Sequence, residues 1–312
     1  MFKGLARLPG GRADFGRGIV VLDLIADVVI LGSLVWGWGV AAAVSGGAVL
    51  IPVIGLFFNR VDAWSTACAI LAVAAWRRDR PVMLGCALAA GAAFKLWPLV
   101  LATLLVVPWR DRRSLAALAA FASTIALFAG AALWLAGSNG VTQVLTFRGA
   151  TGWQIESLTG SLVHLLDQQT LRMETGAWRI GAMGRASSVA MFLAAAPICI
   201  WSSWRGARLD RIGTGWLASV TSLLLLSALL SAQYVIWLAP AAGIAWVQGE
   251  KRLALLTALA ILLTQLLWIY YGAILNHWWP GMLLVVARNL VLIVIAALAI
   301  ARLARATRSA RL

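Results

Sequence analysis

Apolar runs that end in clusters of basic residues constrain this chain more than any other feature. Of its 26 Lys and Arg, fifteen stand at 77–80, 110–113, 205–211, 251–252 and 302–311. Each cluster closes an apolar stretch, and Lys and Arg gather at the cytoplasmic ends of membrane spans. The chain is 62% hydrophobic and 12% charged over 312 residues, which leaves too little polar surface for a soluble domain. The reading is an all-α polytopic integral membrane protein, one transmembrane domain over 1–312. The formal charge of +15 then reflects topology and contact with anionic membrane lipids, and nucleic acid is excluded as a partner.

The apolar pattern gives about nine spans, at 19–38, 40–58, 62–76, 115–136, 186–203, 214–230, 232–248, 253–275 and 281–301. Residues 81–108 do not fit two more. They lie between two basic clusters that both belong in the cytoplasm, and a span needs about 20 residues. The segment is expected to enter, turn near Lys95-Leu96-Trp97-Pro98 and leave on the same side, as a short re-entrant hairpin. Lys95 stands at that turn with no charge within a dozen residues on either side. An ammonium at membrane depth is costly, so it marks a candidate site; its plainer role is to snorkel.

Alternation puts the loop 137–185 outside and the basic tail 302–312 in the cytoplasm of a bacterial plasma membrane. That loop carries Arg148, Glu156, Asp167, Arg172, Glu174 and Arg179, a balanced set suited to meeting an external substrate. Within it Ile155, Leu158, Leu162, Leu165 and Leu166 share one helical face, and Gln154, Ser157, Ser161, His164 and Gln168 share the other. The pattern predicts an interfacial helix, or one packed on the bundle with its polar side wet. Residues 1–18 count as outside although Lys3, Arg7, Arg12 and Arg17 favour the cytoplasm. The run after them is longer than a signal-peptide core and carries Asp23 and Asp27, so cleavage is not expected.

Charges within apolar runs supply the remaining candidates. Asp23 and Asp27 share a helix face. Arg288-Asn289 lies about 12 Å into the last span by helical rise, and Arg288 needs a partner there, Asp27 or a bound phosphate. Arg60 and Asp62 bracket a helix start, where Asp62 is also a favourable first-turn acid. Gln233-Tyr234 opens a span; its aromatic rings read as an interfacial belt, and the amide suits a sugar hydroxyl. Trp278-Trp279-Pro280 reads as belt. The cysteines and histidines match no metal motif, so no metal site is expected.

Taken together, Arg60-Val61-Asp62, Arg77-Arg78-Asp79-Arg80-Pro81, Gly85, Gly91 and Lys95-Leu96-Trp97-Pro98 resemble the middle of glycosyltransferase family 87. Arg148-Gly149 with Trp153-Gln154-Ile155-Glu156-Ser157-Leu158 is similar to that family's external Arg-Gly…Gln-x-Glu-Ser segment. Ser231-Ala232-Gln233-Tyr234, with Trp237 and Pro240, is similar to its Ser-Pro-Gln-Tyr…Trp…Pro, Ala232 replacing Pro. The resemblance implies a C-fold (GT-C-like) enzyme that moves a sugar, mannose above all, from a polyprenyl-phosphate carrier to a glycolipid or glycan acceptor. It implies inversion with a carboxylate base, cationic help for the departing phosphate, and no nucleotide or other cofactor.

One departure matters. In the family the general-base Asp stands in an external loop upstream of everything matched here, and Asp14, the acid nearest the start, matches no motif. The resemblance therefore implies part of a longer enzyme or a homologue without activity. Glu156 is the expected substitute base. Arg148, Gln154, Lys95, Gln233, Arg60, Asp62, Tyr234, His164 and Arg288 are the expected substrate contacts. The rival readings are a non-catalytic binder of the lipid carrier and a small-solute transporter built on the hairpin.

Overall fold

The computed structural model describes residues 12–53, 62–107, 111–145, 151–166 and 170–306. Helices dominate: α1 Arg12–Trp38, α2 Val40–Leu50, α3 Asp62–Arg77, α4 Pro81–Phe94, α5 Arg112–Leu145, α6 Leu158–Leu166, α7 Arg185–Arg208, α8 Ile212–Leu225, α9 Ala239–Val247, α10 Lys251–Ile269, α11 Tyr271–Leu275 and α12 Trp279–Arg305. Tighter 3-10 turns run over Ile51–Val53, Trp97–Leu105 and Ala232–Leu238.

Five of these helices have the length and apolar composition to cross a membrane, within α1, α5, α7, α10 and α12. This corrects the expectation of nine spans. The stretches 40–58, 62–76, 214–230 and 232–248 are apolar, but no helix in them reaches spanning length, and α3, which covers 62–76, has only 16 residues. The first breaks after Leu50, the third after Leu225, and the fourth is half 3-10 turn. Helix α8, 14 residues, rises only about 21 Å and is buried almost all round. A short helix with no polar face belongs in a protein core. Such helices pack closely through small residues: a Cβ added at Gly206 of α7 would stand 2.7 Å from the Cα of Gly215 in α8.

Ion pairs tie the basic clusters together at one end of the bundle. Arg113 meets Asp79 at 2.7 Å, Arg77 meets Asp210 at 2.9 Å, and Glu250 takes Arg211 at 3.0 Å and Arg302 at 3.6 Å. Exposed pairs like these add little stability; what they report is that all five clusters share one end. Residues 81–107 start and finish at that end. After α4 the chain breaks at Lys95, which is extended (φ −153, ψ 143). The 3-10 turn Trp97–Leu105 then returns, and the Val107 carbonyl accepts a 2.5 Å hydrogen bond from Trp76 Nε1. Fourteen helical residues carry Lys95 about 20 Å from the basic end, level with Asp62 at the far end of α3.

A small antiparallel sheet forms at the far end, a feature absent from the all-α expectation. Strands β1 Trp153–Gln154, β2 Arg172–Glu174 and β3 Ala177–Ile180 take the order β1-β3-β2. The β2–β3 turn places Thr175 at φ 52 and Gly176 at φ 82, the paired left-handed geometry that two-residue hairpins favour. Helix α6 follows β1, and its polar side faces protein rather than water. Its polar residues Ser157, Ser161 and His164 are buried, whereas Leu162 and Leu166 are exposed. The polar face packs on α12, where Asn289 Nδ2 meets Ser161 Oγ at 3.0 Å. In an apolar surround the protein interior is the place for hydrogen-bonding groups.

Candidate functional site

Two polar clusters stand at the end opposite the basic residues. The first joins residues far apart in sequence. Lys95 Nζ donates to Asp62 Oδ1 at 2.6 Å, and Trp237 Nε1 donates to the same oxygen at 3.0 Å. Asp62 is buried and Lys95 partly so. The ammonium lies 4.4 Å from the Tyr234 ring centre and 5.4 Å from that of Trp237, within cation–π range. Tyr234 stacks on Trp237 at 4.3 Å, and Trp237 on Trp97 at 5.0 Å. The break after α4 makes this possible, because an extended Lys95 leaves the helix axis and reaches α3. Gln233 accepts from Ser231 Oγ at 2.6 Å beside the stack.

The second cluster fixes the loop against α12. Gln154 Nε2 donates to Glu156 Oε2 at 2.7 Å. The Glu156 carbonyl accepts from Arg288 Nη2 at 2.7 Å and from Asn289 Nδ2 at 3.4 Å. Glu156 is 4% exposed and Arg288 fully buried. Arg288 Nε and Nη1 and Asn289 Oδ1 have no hydrogen-bond partner among the described residues. Ser157 closes the turn, donating from Oγ to the Gln154 carbonyl at 2.7 Å. Gly160 sits so tightly under Gln154 that a Cβ there would overlap the Gln154 carbonyl.

His164 bonds through Nε2 to the Ile274 carbonyl at 3.0 Å, and its ring centre lies 4.5 Å from that of His277. A carbonyl only accepts, so Nε2 carries the proton and the neutral ring leaves Nδ1 bare. Burial pushes the imidazole below its usual range and His277 pushes the same way, against the Ile274 bond. Burial likewise pushes the Tyr271 hydroxyl up, and the nearby Glu156 carboxylate adds to it.

Gln154 and Arg179 join the clusters. Gln154 donates its backbone N–H to the Ala228 carbonyl at 3.1 Å, just before the Ala232–Leu238 turn, and pairs with Arg179 across β1 and β3. Arg179 is buried, bonded to the Gly152 carbonyl at 2.8 Å. Burial pushes its guanidinium below the usual range; Glu174 and Tyr234 push it back.

The expected contacts therefore divide. Asp62, Lys95, Gln233 and Tyr234 belong to one cluster; Gln154, Glu156, His164 and Arg288 belong to the other. Arg60 and Arg148 lie outside the described residues. Two expectations change. Lys95 is paired with Asp62, so it is not a bare charge awaiting a ligand. Arg288 is held by the Glu156 carbonyl, not by Asp27, and it braces the loop rather than lining an open cleft. Sequence reading missed Arg179, Trp237 and Ser161 as parts of the site. Arg179 gave no signal beyond a charge in a polar loop, whereas Trp237 was visible in its motif. Among the described residues no three His, Cys, Asp or Glu side chains come together to hold a metal ion.

The fold defines an almost entirely helical membrane protein, with five helices apolar and long enough to span and a polar site at the end away from its basic residues. Comparison with protein-family models, curated proteins and solved structures finds no match for this chain.

Proposed function

We propose that this chain acts as a membrane glycosyltransferase, moving a sugar, mannose by the sequence resemblance, from a polyprenyl-phosphate carrier to a glycolipid or glycan acceptor. The observation that carries the reading is the convergence of Asp62, Lys95, Tyr234 and Trp237. These residues come from three separate motifs of the resemblance, and they form one hydrogen-bonded, aromatic-lined cluster. In this reading the short buried helices complete a C-fold bundle in a plasma membrane, with the basic end in the cytoplasm.

The acceptor hydroxyl attacks the anomeric carbon, the bond from that carbon to the phosphate oxygen breaks, and the hydroxyl proton passes to Glu156. Lys95 and Arg179, with Arg148 and Arg60, offset the charge on the departing lipid phosphate. Gln154 orients Glu156 through its 2.7 Å bond, and Gln233 and Tyr234 offer polar and aromatic contacts to the sugar. Glu156 is 4% exposed, so the reading requires donor binding to uncover it.

That burial is also the specific support for a second reading, a carrier-binding protein without turnover. Purified protein in lipid nanodiscs, given polyprenyl-phosphate-mannose and a glycolipid acceptor, separates the two. Product that disappears in Glu156→Gln at unchanged expression supports the transferase. Unchanged turnover in that variant removes Glu156 from the role. Saturable carrier binding with no product supports the second reading, and neither binding nor product rejects both.

A further inference from the structure

A pocket of about 560 Å³ opens between the end of α10 and the start of α12, lined by Tyr270, Ala273, Asn276, His277, Trp278 and Trp279. Its aromatic walls are unusually open: Tyr270 is 45% exposed, Trp278 43% and Trp279 65%. Tyr270 and Trp278 stand 5.5 Å apart at 43°, as two sides of a corner. The floor is built and held. His277 adopts φ 56, the left-handed residue that closes α11. Here the His277 and Trp278 backbone N–H groups donate to the Ile274 and Ala273 carbonyls at 3.1 and 3.0 Å. The His277 ring is backed by His164, itself buried and tied to the Ile274 carbonyl.

The lining holds no Lys, Arg, Asp or Glu, so it suits an uncharged ligand. Broad aromatic faces with one amide and one imidazole are the chemistry that takes a sugar ring. The C–H face of the ring packs on indole, and its hydroxyls bond to the polar groups. Aromatic residues at a membrane boundary explain exposed Trp and Tyr in general. They do not require a histidine in the wall backed by a second, buried histidine. Position adds to the argument. From Ser157, next to Glu156, the chain runs along α6 to His164 under the pocket, about 10 Å by helical rise. One oligosaccharide can reach from the pocket to the Glu156 turn.

We infer that this pocket binds a neutral sugar unit of the acceptor, away from the hydroxyl that reacts. The inference rests on the transferase reading for the word acceptor, and its test is a binding measurement that needs no turnover. The full chain in nanodiscs of neutral lipid is titrated with mannobiose and mannotriose, followed by saturation-transfer NMR and tryptophan fluorescence. The expected result is saturable binding, weakened about tenfold in Trp279→Ala and in His277→Ala and retained in Trp134→Ala, an exposed tryptophan on α5 far along the sequence. Trp279→Phe, which keeps a ring, retains most of it. Absence of saturable binding, or binding that Trp279→Ala leaves intact, overturns the inference. So does displacement of the sugar by phosphocholine at equal concentration, which marks a lipid-headgroup site. The two readings fail separately. Sugar binding without transfer rejects the transferase and keeps the pocket; transfer with an unchanged KM in Trp279→Ala rejects the pocket and keeps the transferase.

Discussion

Replacing Arg288 by Met tests how a fully buried cation is used. Arg288 makes one hydrogen bond, from Nη2 to the Glu156 carbonyl at 2.7 Å, and its Nε and Nη1 have no hydrogen-bond partner among the described residues. Losing a hydrogen bond to a charged group costs about 1.5–3 kcal/mol. Removing the guanidinium also ends its own desolvation cost, which is several kcal/mol for a buried ion. The two effects offset, and Arg288→Met should shift global stability by no more than about 1 kcal/mol. The local effect should be larger. The Glu156 carbonyl keeps the 3.4 Å contact from Asn289 Nδ2, a poor bond by length. Amide hydrogen exchange over 154–161 should rise by about tenfold, a local opening made easier by about 1.4 kcal/mol. Sugar transfer should fall while carrier binding survives. Thermal unfolding by tryptophan fluorescence and exchange mass spectrometry read the two quantities apart. A loss of 3 kcal/mol or more in global stability, with exchange at 154–161 unchanged, would refute the reasoning. It would mean that Arg288 balances a buried charge rather than bracing the loop.

Three further outcomes follow from the geometry. Lys95→Met leaves Asp62 buried with, among the described residues, only the Trp237 donor, so it should cost about 2–3 kcal/mol, somewhat below a fully buried pair because Lys95 is partly exposed. Lys95→Met with Asp62→Leu should recover most of that in thermal melts, and a double variant no better than the single one rejects the pairing. For Glu174, burial pushes the carboxyl up, but donors from the Thr151 and Gly152 backbone and Arg172 outweigh it and hold the group at about 2. A depressed carboxyl stabilises above its unfolded value near 4.3 and loses that stabilisation as pH falls through the folded one. Exchange protection of the β2–β3 hairpin should therefore hold above about pH 4.3 and decay toward pH 2; Glu174→Gln should flatten the profile. Gly85→Ala puts a Cβ onto the Ala117 carbonyl and 2.8 Å from Phe121 N. It should destabilise by about 1–3 kcal/mol through separation of α4 from α5, and an unchanged melting midpoint counts against that packing.

The membrane class was legible because it depends on composition and on where Lys and Arg fall, both read directly along the chain. The number of spans was less so. A hydropathy window sums apolar residues, but a span also needs an unbroken helix, and the breaks after Leu50 and Leu225 lie inside apolar stretches. The two faces of α6 follow from its 3.6 periodicity, but the polar one meets α12 rather than water. Periodicity shows that two faces differ, while the choice of which faces protein depends on whether water or an apolar surround lies outside. The hairpin carried a usable signal in Thr175-Gly176, overlooked beside stronger helical ones.

At the site, sequence singled out many residues that the structure brings together, without pairing them. Lys95 and Asp62 were each singled out, but their pairing spans 33 positions and the Trp237 donor lies 175 positions from Asp62. Arg288 plainly needed a partner, and the one it has is a backbone carbonyl, a group every residue carries and no sequence can mark. Composition and spacing by themselves determined that this chain lives among apolar helices with its cations at helix ends, because the cost of burying charge acts on each segment separately. Which buried charge meets which acceptor was decided only by the tertiary structure. Hydrogen bonds and ion pairs act over a few ångströms, and only packing brings distant segments that close.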